Sequence, residues 1–220
     1  TAIDATRIPV MPIPGNHDLA NRENYLNNVG KTKYSFDVDR YRFAAFTANE
    51  LDAGWLNTVL ASTANKAIVF GHYVLRLPAG STDPVWFYSL PTGEAAALRQ
   101  TMSANGALAY LSGHYHSPYV FEDEISHVTA IGAPAVGQKS SYIISTIDQD
   151  VVSSIVHYLG NWPEVVVTYP QQFYADGGSK TISGTVPIRA RLFGTQPIIS
   201  VRYAIDGVAR GEMTALGDNV

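Results

Sequence analysis

Three short blocks of the sequence carry side chains that can bind a metal ion or move a proton. They are Gly15-Asn16-His17-Asp18, Gly71-His72 and Gly113-His114-Tyr115-His116. Each block follows an apolar run, and short apolar runs of this kind predict buried strands. Because ligands bind just beyond the carboxyl ends of strands in open α/β sheets, we expect the three blocks to meet at one sheet edge.

The side chains of these blocks match the ligand preferences of borderline divalent metals. Imidazoles and an Asn carbonyl oxygen bind Zn²⁺, Mn²⁺ or Fe²⁺, and a glycine before each ligand permits a sharp turn. In an extended segment His114 and His116 point the same way, whereas a bend directs them to two different ions. A carboxylate at Asp18 fixes the tautomer of His17 and favours its charged form, which suits a proton donor.

Ordinary structural interpretations stand beside these. A single His after a strand, such as His72, is commonly a satisfied polar residue, and Asn16 suits a turn. His127 and His157 lie in strand-like runs and are interpreted as structural, with a site-lining role for His127 as the alternative. Tyrosines beside the histidines are expected to pack in the core, with contact to ions or substrate as the alternative; they are Tyr73 and Tyr115.

The rest of the sequence predicts the elements that position the blocks. Strands are predicted at 8–13, 34–38, 41–47, 67–70, 107–111, 118–121, 125–131, 141–147 and 151–158. Helices are predicted from 51 to 62, capped by Asn49, and from a cap at Thr92 to about 103. The order of strand, helix and strand up to residue 70 indicates a βαβ-like crossover. Residues 76–90 predict a loop with an aromatic tip at 86–88, with a lid as the alternative.

The pattern changes at residue 164. Short strands are predicted at 165–170, 182–187, 188–193 and 198–205, separated by glycine-containing turns and with no helix between them. This alternation is typical of a β-sandwich. We therefore predict a domain boundary near Pro163, giving domains at 1–163 and 164–220. The second is short for an immunoglobulin-like sandwich of about 100 residues, so we expect it to be truncated.

Composition excludes several classes of function. The 220 residues are 46% hydrophobic and 15% charged, with a net charge of −4, so a sizeable core is expected and no nucleic-acid surface is indicated. There are no cysteines, which excludes disulfides and thiolate metal sites. No apolar stretch approaches the roughly 18 residues that span a bilayer. The chain begins with Thr and not Met, and we interpret it as a segment of a longer protein.

The three blocks, in this order, resemble the calcineurin-like metallophosphoesterases. The resemblance implies that Asn16, His72 and His114 bind the second ion of a dinuclear site and that His116 binds the first. His17, held by Asp18, would contact the phosphate and protonate the leaving oxygen or stabilise its charge. Two divalent ions (Mn, Fe or Zn) would clamp the attacking and leaving oxygens of a phosphomonoester or phosphodiester.

The family's two earlier acidic blocks, an Asp-x-His and a Gly-Asp-x-x-Asp, are not found in this sequence. We expect them upstream, and we expect residues 1–220 alone to be inactive. The alternative is a non-catalytic binding or receptor-like protein on a degenerate phosphoesterase core.

A narrower resemblance covers about residues 8–207. It rests on Phe70-Gly71-His72-Tyr73, Ala109-Tyr110-Leu111-Ser112-Gly113-His114, Asn161-Trp162-Pro163 before a valine run, and residues 199–207. These stretches are similar to the transmembrane protein 62-like branch, in which a phosphoesterase core runs into an immunoglobulin-like domain and then membrane helices. The fold class expected is α/β: the C-terminal part of a metallophosphoesterase β-sandwich core flanked by helices, then a partial immunoglobulin-like all-β domain. Localisation stays open, with an extracytoplasmic or membrane-associated place favoured and any anchor outside this segment.

Overall fold

The computed structural model describes residues 9–47, 51–84, 90–171 and 182–216. Its helices are α1 (Arg22–Asn28), α2 (Ala53–Ala61), α3 (Thr92–Ala104) and α4 (Val136–Lys139), and a 3₁₀ turn spans Asp18–Asn21. Its strands are β1 (Lys33–Val38), β2 (Tyr41–Phe46), β3 (Lys66–Phe70), β4 (Ala109–Ser112), β5 (Tyr119–Glu122), β6 (Thr129–Gly132), β7 (Ser141–Asp148), β8 (Val151–Tyr158), β9 (Glu164–Tyr169), β10 (Arg189–Phe193), β11 (Arg202–Ile205) and β12 (Val208–Glu212). The predicted cap Asn49 and the aromatic tip at 86–88 lie outside the described residues.

A six-stranded mixed sheet in the order β1-β2-β3-β4-β6-β5 carries the histidine blocks. The neighbours β2, β3, β4 and β6 run parallel, while β1 and β5 are antiparallel to their partners. The β2-α2-β3 unit confirms the predicted crossover. Because β3 and β4 are parallel neighbours, their carboxyl ends lie side by side, and Gly71 and Gly113 follow these ends directly.

The two faces of this sheet pack against different elements, because successive side chains of a strand point to opposite faces. On one face, Val69 packs with Leu56 of α2 and Leu98 of α3 in one buried cluster. On the other face, Ile131 packs with Val152 of the β7-β8 hairpin. Strands buried on both faces are nearly continuous apolar runs, which is why the sequence predicted them without an alternating pattern.

The predicted first strand, 8–13, is wrong for its described part. Residues 9–15 form no strand, because the prolines at 9, 12 and 14 have no N–H to donate to a ladder. Side-chain hydroxyls hold this segment instead. Tyr34 donates to the Pro12 carbonyl at 2.9 Å, and Thr47 donates to the Pro14 carbonyl at 3.0 Å.

Neither α2 nor α3 has its predicted cap residue at the N-cap position. The helix α2 begins after Asp52, whose Oδ1 accepts from the Trp55 N–H at 2.8 Å. The helix α3 has Pro91 at its N-cap position and Thr92 as its first residue, so the predicted capping role of Thr92 is wrong. The predicted inward positions Ala95, Leu98 and Met102 are all buried. Within the described residues no helix is long and apolar enough to cross a membrane.

Beyond residue 163 the described chain forms two small antiparallel sheets, β9-β10 and β11-β12. Residues 182–187 form no strand, so that prediction is wrong. The strand β12 was not predicted, although it follows an Asp206-Gly207 turn with φ values of 52° and 77°. Consecutive positive φ values are typical of a type I′ hairpin. The domain boundary near Pro163 and the immunoglobulin-like assignment stay predictions.

Candidate metal centre

Three donor atoms from the three sequence blocks converge at the carboxyl edge of the sheet. Nε2 of His72 lies 3.0 Å from Oδ1 of Asn16 and 2.9 Å from Nδ1 of His114. His72 follows β3 and His114 follows β4, while Asn16 reaches them from the turn after the proline-rich segment. The structure therefore brings together three of the four predicted metal ligands.

The contacts of His72 Nε2 are compatible with hydrogen bonds and with a shared cation. The donor and acceptor roles in the two contacts depend on the tautomers of His72 and His114, whereas a cation would accept lone pairs from all three atoms. Two donors about 2.1 Å from one ion are about 3.0 Å apart at an octahedral angle and about 3.4 Å apart at a tetrahedral angle. Small rotations of the side chains would therefore bring the three atoms to metal-ligand spacing.

Electrostatics keep His72 in the form that binds metal. Burial and, after it, the neighbouring His114 lower the pKa of His72 to about 4, while Asp18 opposes the shift. The histidines at 116 and 17 also lower this pKa, which places their charges near the same centre. The imidazole of His72 is therefore neutral at neutral pH, as ligation requires.

The backbone turns sharply at two of the candidate ligands. His114 and His116 have φ values of 59° and 61°, in the left-handed region that non-glycine residues adopt rarely. The extended alternative for this His-x-His segment therefore does not occur. His114 is buried and His116 is exposed, so the two imidazoles face different surroundings.

The first block forms a tight turn against His72. Asp18 accepts a hydrogen bond from the Gly15 N–H at 2.8 Å, and His17 is exposed beside Asn16. A Cβ at Gly15 would lie 2.6 Å from Cε1 of His72. Position 15 therefore requires glycine because the His72 ring occupies the space that a side chain would need.

Comparison with solved structures identifies related folds. A dimetal phosphatase from Danio rerio matches with a TM-score of 0.50 at 14% sequence identity, over 75% of this chain and 70% of that chain. The mixed sheet and its helices resemble a metallophosphoesterase core. No family model matches the chain. The curated proteins also give no match.

Two other solved structures are similar at lower TM-scores. GAP50, described as the anchor in the inner membrane complex of Plasmodium, matches at 0.48 with 12% identity, over 86% of this chain and 67% of that chain. A purple acid phosphatase from yellow lupin (Lupinus luteus) matches at 0.38 with 14% identity, over 83% of this chain and 39% of that chain. At these identities the likeness concerns the fold alone.

The donor set of this metallophosphoesterase-like core fits one divalent ion in part. Asn16, His72 and His114 give one amide oxygen and two imidazole nitrogens, which suit Zn²⁺, Mn²⁺ or Fe²⁺. Within the described ranges no group of three or more His, Cys, Asp or Glu side chains could hold a metal ion. The set reaches three donors only by counting the Asn16 amide.

The two remaining histidines lie apart from this centre. His127 is exposed, 3.5 Å from Glu122, and precedes the amino end of β6. Because β6 runs parallel to β4, His127 lies at the opposite end of the sheet from His114. His157 is buried, and its Nδ1 lies 2.9 Å from Glu164 Oε1, which agrees with a structural interpretation.

Two features at the centre were missed from sequence. The Tyr110 hydroxyl donates to the Tyr73 carbonyl at 2.6 Å, directly beside His72. The Tyr115 hydroxyl donates to Asp83 Oδ2 at 2.7 Å, which ties the 78–84 loop to the turn that carries His114. The sequence does not indicate either hydrogen-bond partner. The alternation of side chains along a strand indicates only the face of the sheet on which Tyr110 lies.

Proposed function

We propose that this chain is part of a metal-dependent phosphoesterase that hydrolyses a phosphomonoester or phosphodiester at a dinuclear centre. The observation that carries the proposal is the convergence of Asn16 Oδ1, His72 Nε2 and His114 Nδ1 at the carboxyl edge of parallel strands. The likeness of the fold to a dimetal phosphatase supports it.

In this proposal Asn16, His72 and His114 hold one divalent ion and His116 contributes to a second. Two ions (Mn, Fe or Zn), when bound, supply Lewis acidity and clamp the attacking and leaving oxygens of an in-line displacement. The remaining ligands are proposed to come from acidic blocks upstream of residue 1, so residues 1–220 alone are proposed to be inactive.

His17 is proposed as the proton donor to the leaving oxygen. It is exposed and adjacent to the ligand Asn16, so a substrate phosphate held at the centre would be within its reach. Asp18 holds this turn through the Gly15 N–H, which fixes the backbone from which the imidazole projects. A positioned general acid typically contributes 10²–10⁴-fold to the rate.

The finer assignments belong to the same proposal. The small β sheets after residue 163 support an all-β second part of the chain. An immunoglobulin-like domain at 164–220, the transmembrane protein 62-like branch and a membrane anchor outside this segment are proposed on the sequence resemblance alone. None of these assignments is used in the proposed mechanism.

One observation favours a second candidate, a non-catalytic binding or receptor-like protein on the same core. No group of three His, Cys, Asp or Glu side chains within the described residues could hold an ion. A degenerate core that keeps one weak ion or none is consistent with this.

The test uses the full-length protein. Bound metal is measured by elemental analysis, and hydrolysis of an aryl phosphate is followed with Mn²⁺ present. We expect His114→Ala to lose both bound metal and activity, and His17→Ala to keep its metal while losing about 10²–10⁴-fold in rate. His127→Ala is the matched control, because its imidazole lies at the other end of the sheet.

Three outcomes would count against the proposal. Full activity in His114→Ala removes the metal assignment, and an unchanged rate in His17→Ala removes its proton-donor role. Bound metal without hydrolysis of any phosphate ester tested favours the non-catalytic alternative.

A further inference from the structure

A tyrosine ring lies against both histidines of the candidate centre. The Tyr73 ring centroid is 4.4 Å from that of His114 at an interplanar angle of 79°, an edge-to-face contact. It is 5.4 Å from that of His72 at 58°. Edge-to-face packing restricts ring rotation, and both imidazoles must keep their orientation to aim lone pairs at one ion.

The backbone of Tyr73 is held from beneath. The fully buried Tyr110 donates its hydroxyl to the Tyr73 carbonyl at 2.6 Å. Because Tyr110 pairs beside Val69 in the parallel β3-β4 ladder, its phenol spans from β4 to the turn after β3. This contact therefore links the rigid sheet to the segment that carries His72.

The turn leaves no space for an alternative arrangement. A Cβ at Gly71 would lie 2.9 Å from Cζ of Phe46 and would overlap the Tyr110 hydroxyl. The Gly71 N–H also donates to the Leu111 carbonyl at 3.0 Å. The path of the chain from Gly71 to Tyr73 is thus fixed by contacts with β4 on two sides.

We propose that Tyr73 is a positioning residue that sets the orientation of His72 and His114 for metal binding, with Tyr110 fixing its backbone. This inference deepens the proposed function and rests on it. The aromatic ring of Tyr73 carries the effect, since the ring makes the contacts with both imidazoles.

The experiment distinguishes the effect of the Tyr73 ring on metal binding from the effect of its hydroxyl. Mn²⁺ affinity of the full-length protein is measured by competition with a chelator, and the Co²⁺ absorption spectrum reports the ligand geometry. We expect Tyr73→Phe to bind as wild type and Tyr73→Leu to lose 10–100-fold, the range found when groups that orient metal ligands are removed. The Co²⁺ bands should change in Tyr73→Leu only.

A second set of variants tests the support beneath. Tyr110→Phe keeps every ring and removes one hydrogen bond, so we expect a smaller loss, about 3–10-fold, within the range for one hydrogen bond. Gly71→Ala should bind weakly, because its Cβ would meet Phe46 Cζ and the ring of Tyr110. Thr168→Val is the control. It removes a buried hydroxyl of β9 that donates to Asp148 of β7 at 2.6 Å, and both residues lie outside the histidine turns.

The outcomes distinguish failure of the positioning role of Tyr73 from failure of the proposed function on which it rests. If wild type binds no Mn²⁺, the proposed function fails and the inference fails with it. If wild type binds and Tyr73→Leu binds equally well, only the positioning role is overturned. If Tyr73→Phe loses as much as Tyr73→Leu, the hydroxyl and not the ring is responsible, and the inference is wrong. If Tyr73→Leu does not fold, Tyr110→Phe decides, and wild-type Mn²⁺ affinity with an unchanged Co²⁺ spectrum in that variant overturns the proposal.

Discussion

The strands that carry the histidines and the strands after residue 163 bury very different amounts of apolar surface. Val69 on β3 and Tyr110 on β4 are fully buried, whereas every residue of β12 is exposed. A sheet covered on both faces provides rigid strand ends, and rigid ends hold ligand side chains in fixed positions. Two-stranded sheets are marginally stable by themselves. The difference explains why the candidate metal-binding residues lie before residue 163, in what is called here the first region, and not in the second region after it.

A few polar contacts join the two regions. Asp148 at the end of β7 accepts from the Thr168 hydroxyl at 2.6 Å and from Arg189 Nε at 2.7 Å. The buried His157 of β8 contacts Glu164 and packs against the Trp162 ring, with centroids 4.1 Å apart. Charged and aromatic side chains therefore contribute to the attachment of the second region, beside the fully buried Val166 of β9.

The largest effect is expected where charge is buried in the first region. Asp123 is fully buried and accepts from Arg99 Nε at 3.0 Å and from the Ser126 hydroxyl at 2.7 Å. We expect Asp123→Asn to lower the free energy of unfolding by about 3–5 kcal/mol, because it leaves the Arg99 charge without its partner. Urea denaturation at pH 7 measures this.

The same variant has a pH signature. Burial raises the pKa of Asp123, but hydrogen bonds from Ser126 and the charge of Arg99 outweigh it and hold the pKa below its ordinary value. The stabilisation is therefore present above about pH 4 and lost as pH falls through the folded-state pKa. A difference between wild type and Asp123→Asn that stays constant to pH 2 would contradict this.

An intermediate effect is expected at the junction. Asp148→Asn weakens two charge-assisted hydrogen bonds, and such bonds contribute about 1.5–3 kcal/mol each at most, so we expect a loss of about 1–3 kcal/mol. Hydrogen exchange should quicken in β9 and β10 while β3 and β4 stay protected. Equal acceleration in all four strands would mean that the two regions unfold as one unit, and the contrast between them would fail.

The smallest effect is expected on the exposed surface of the second region. Ile199 is 98% exposed, so Ile199→Ala should change the free energy of unfolding by no more than about 0.5 kcal/mol. The matched substitution Ile131→Ala, at a fully buried position of β6, should cost about 2–5 kcal/mol. Thermal melting of both variants compares them. A loss above 1 kcal/mol at Ile199 would indicate that this surface is covered in solution.

The sheet and most of the centre could be predicted from sequence because local patterns determine them. Apolar runs ended by glycine gave β3, β4 and the places of His72 and His114. The proline-rich segment misled, since its apolar side chains fit a strand while its missing N–H groups forbid one. The separation of His116 from His114 depends on two left-handed backbone angles, which residue types other than glycine do not signal.

The support beneath the site could not be predicted, because it depends on contacts across the sheet. Nothing local to Tyr110 indicates that its hydroxyl reaches the Tyr73 carbonyl on the neighbouring strand's turn. In the second region the short strands were found only in part. At residues 208–212 every side chain is exposed, so no burial pattern marks the strand.

The left-handed backbone angles at His114 and His116 make these two positions costly for the folded chain, by about 1–3 kcal/mol for each residue held in such a conformation. Glycine would adopt the same angles without that strain. A library of random variants selected only for thermal resistance would therefore drift away from histidine at positions 114 and 116. Under the proposed function, a second library selected for metal retention would keep histidine at these positions. Positions at which the two selected libraries differ in sequence would then mark the site.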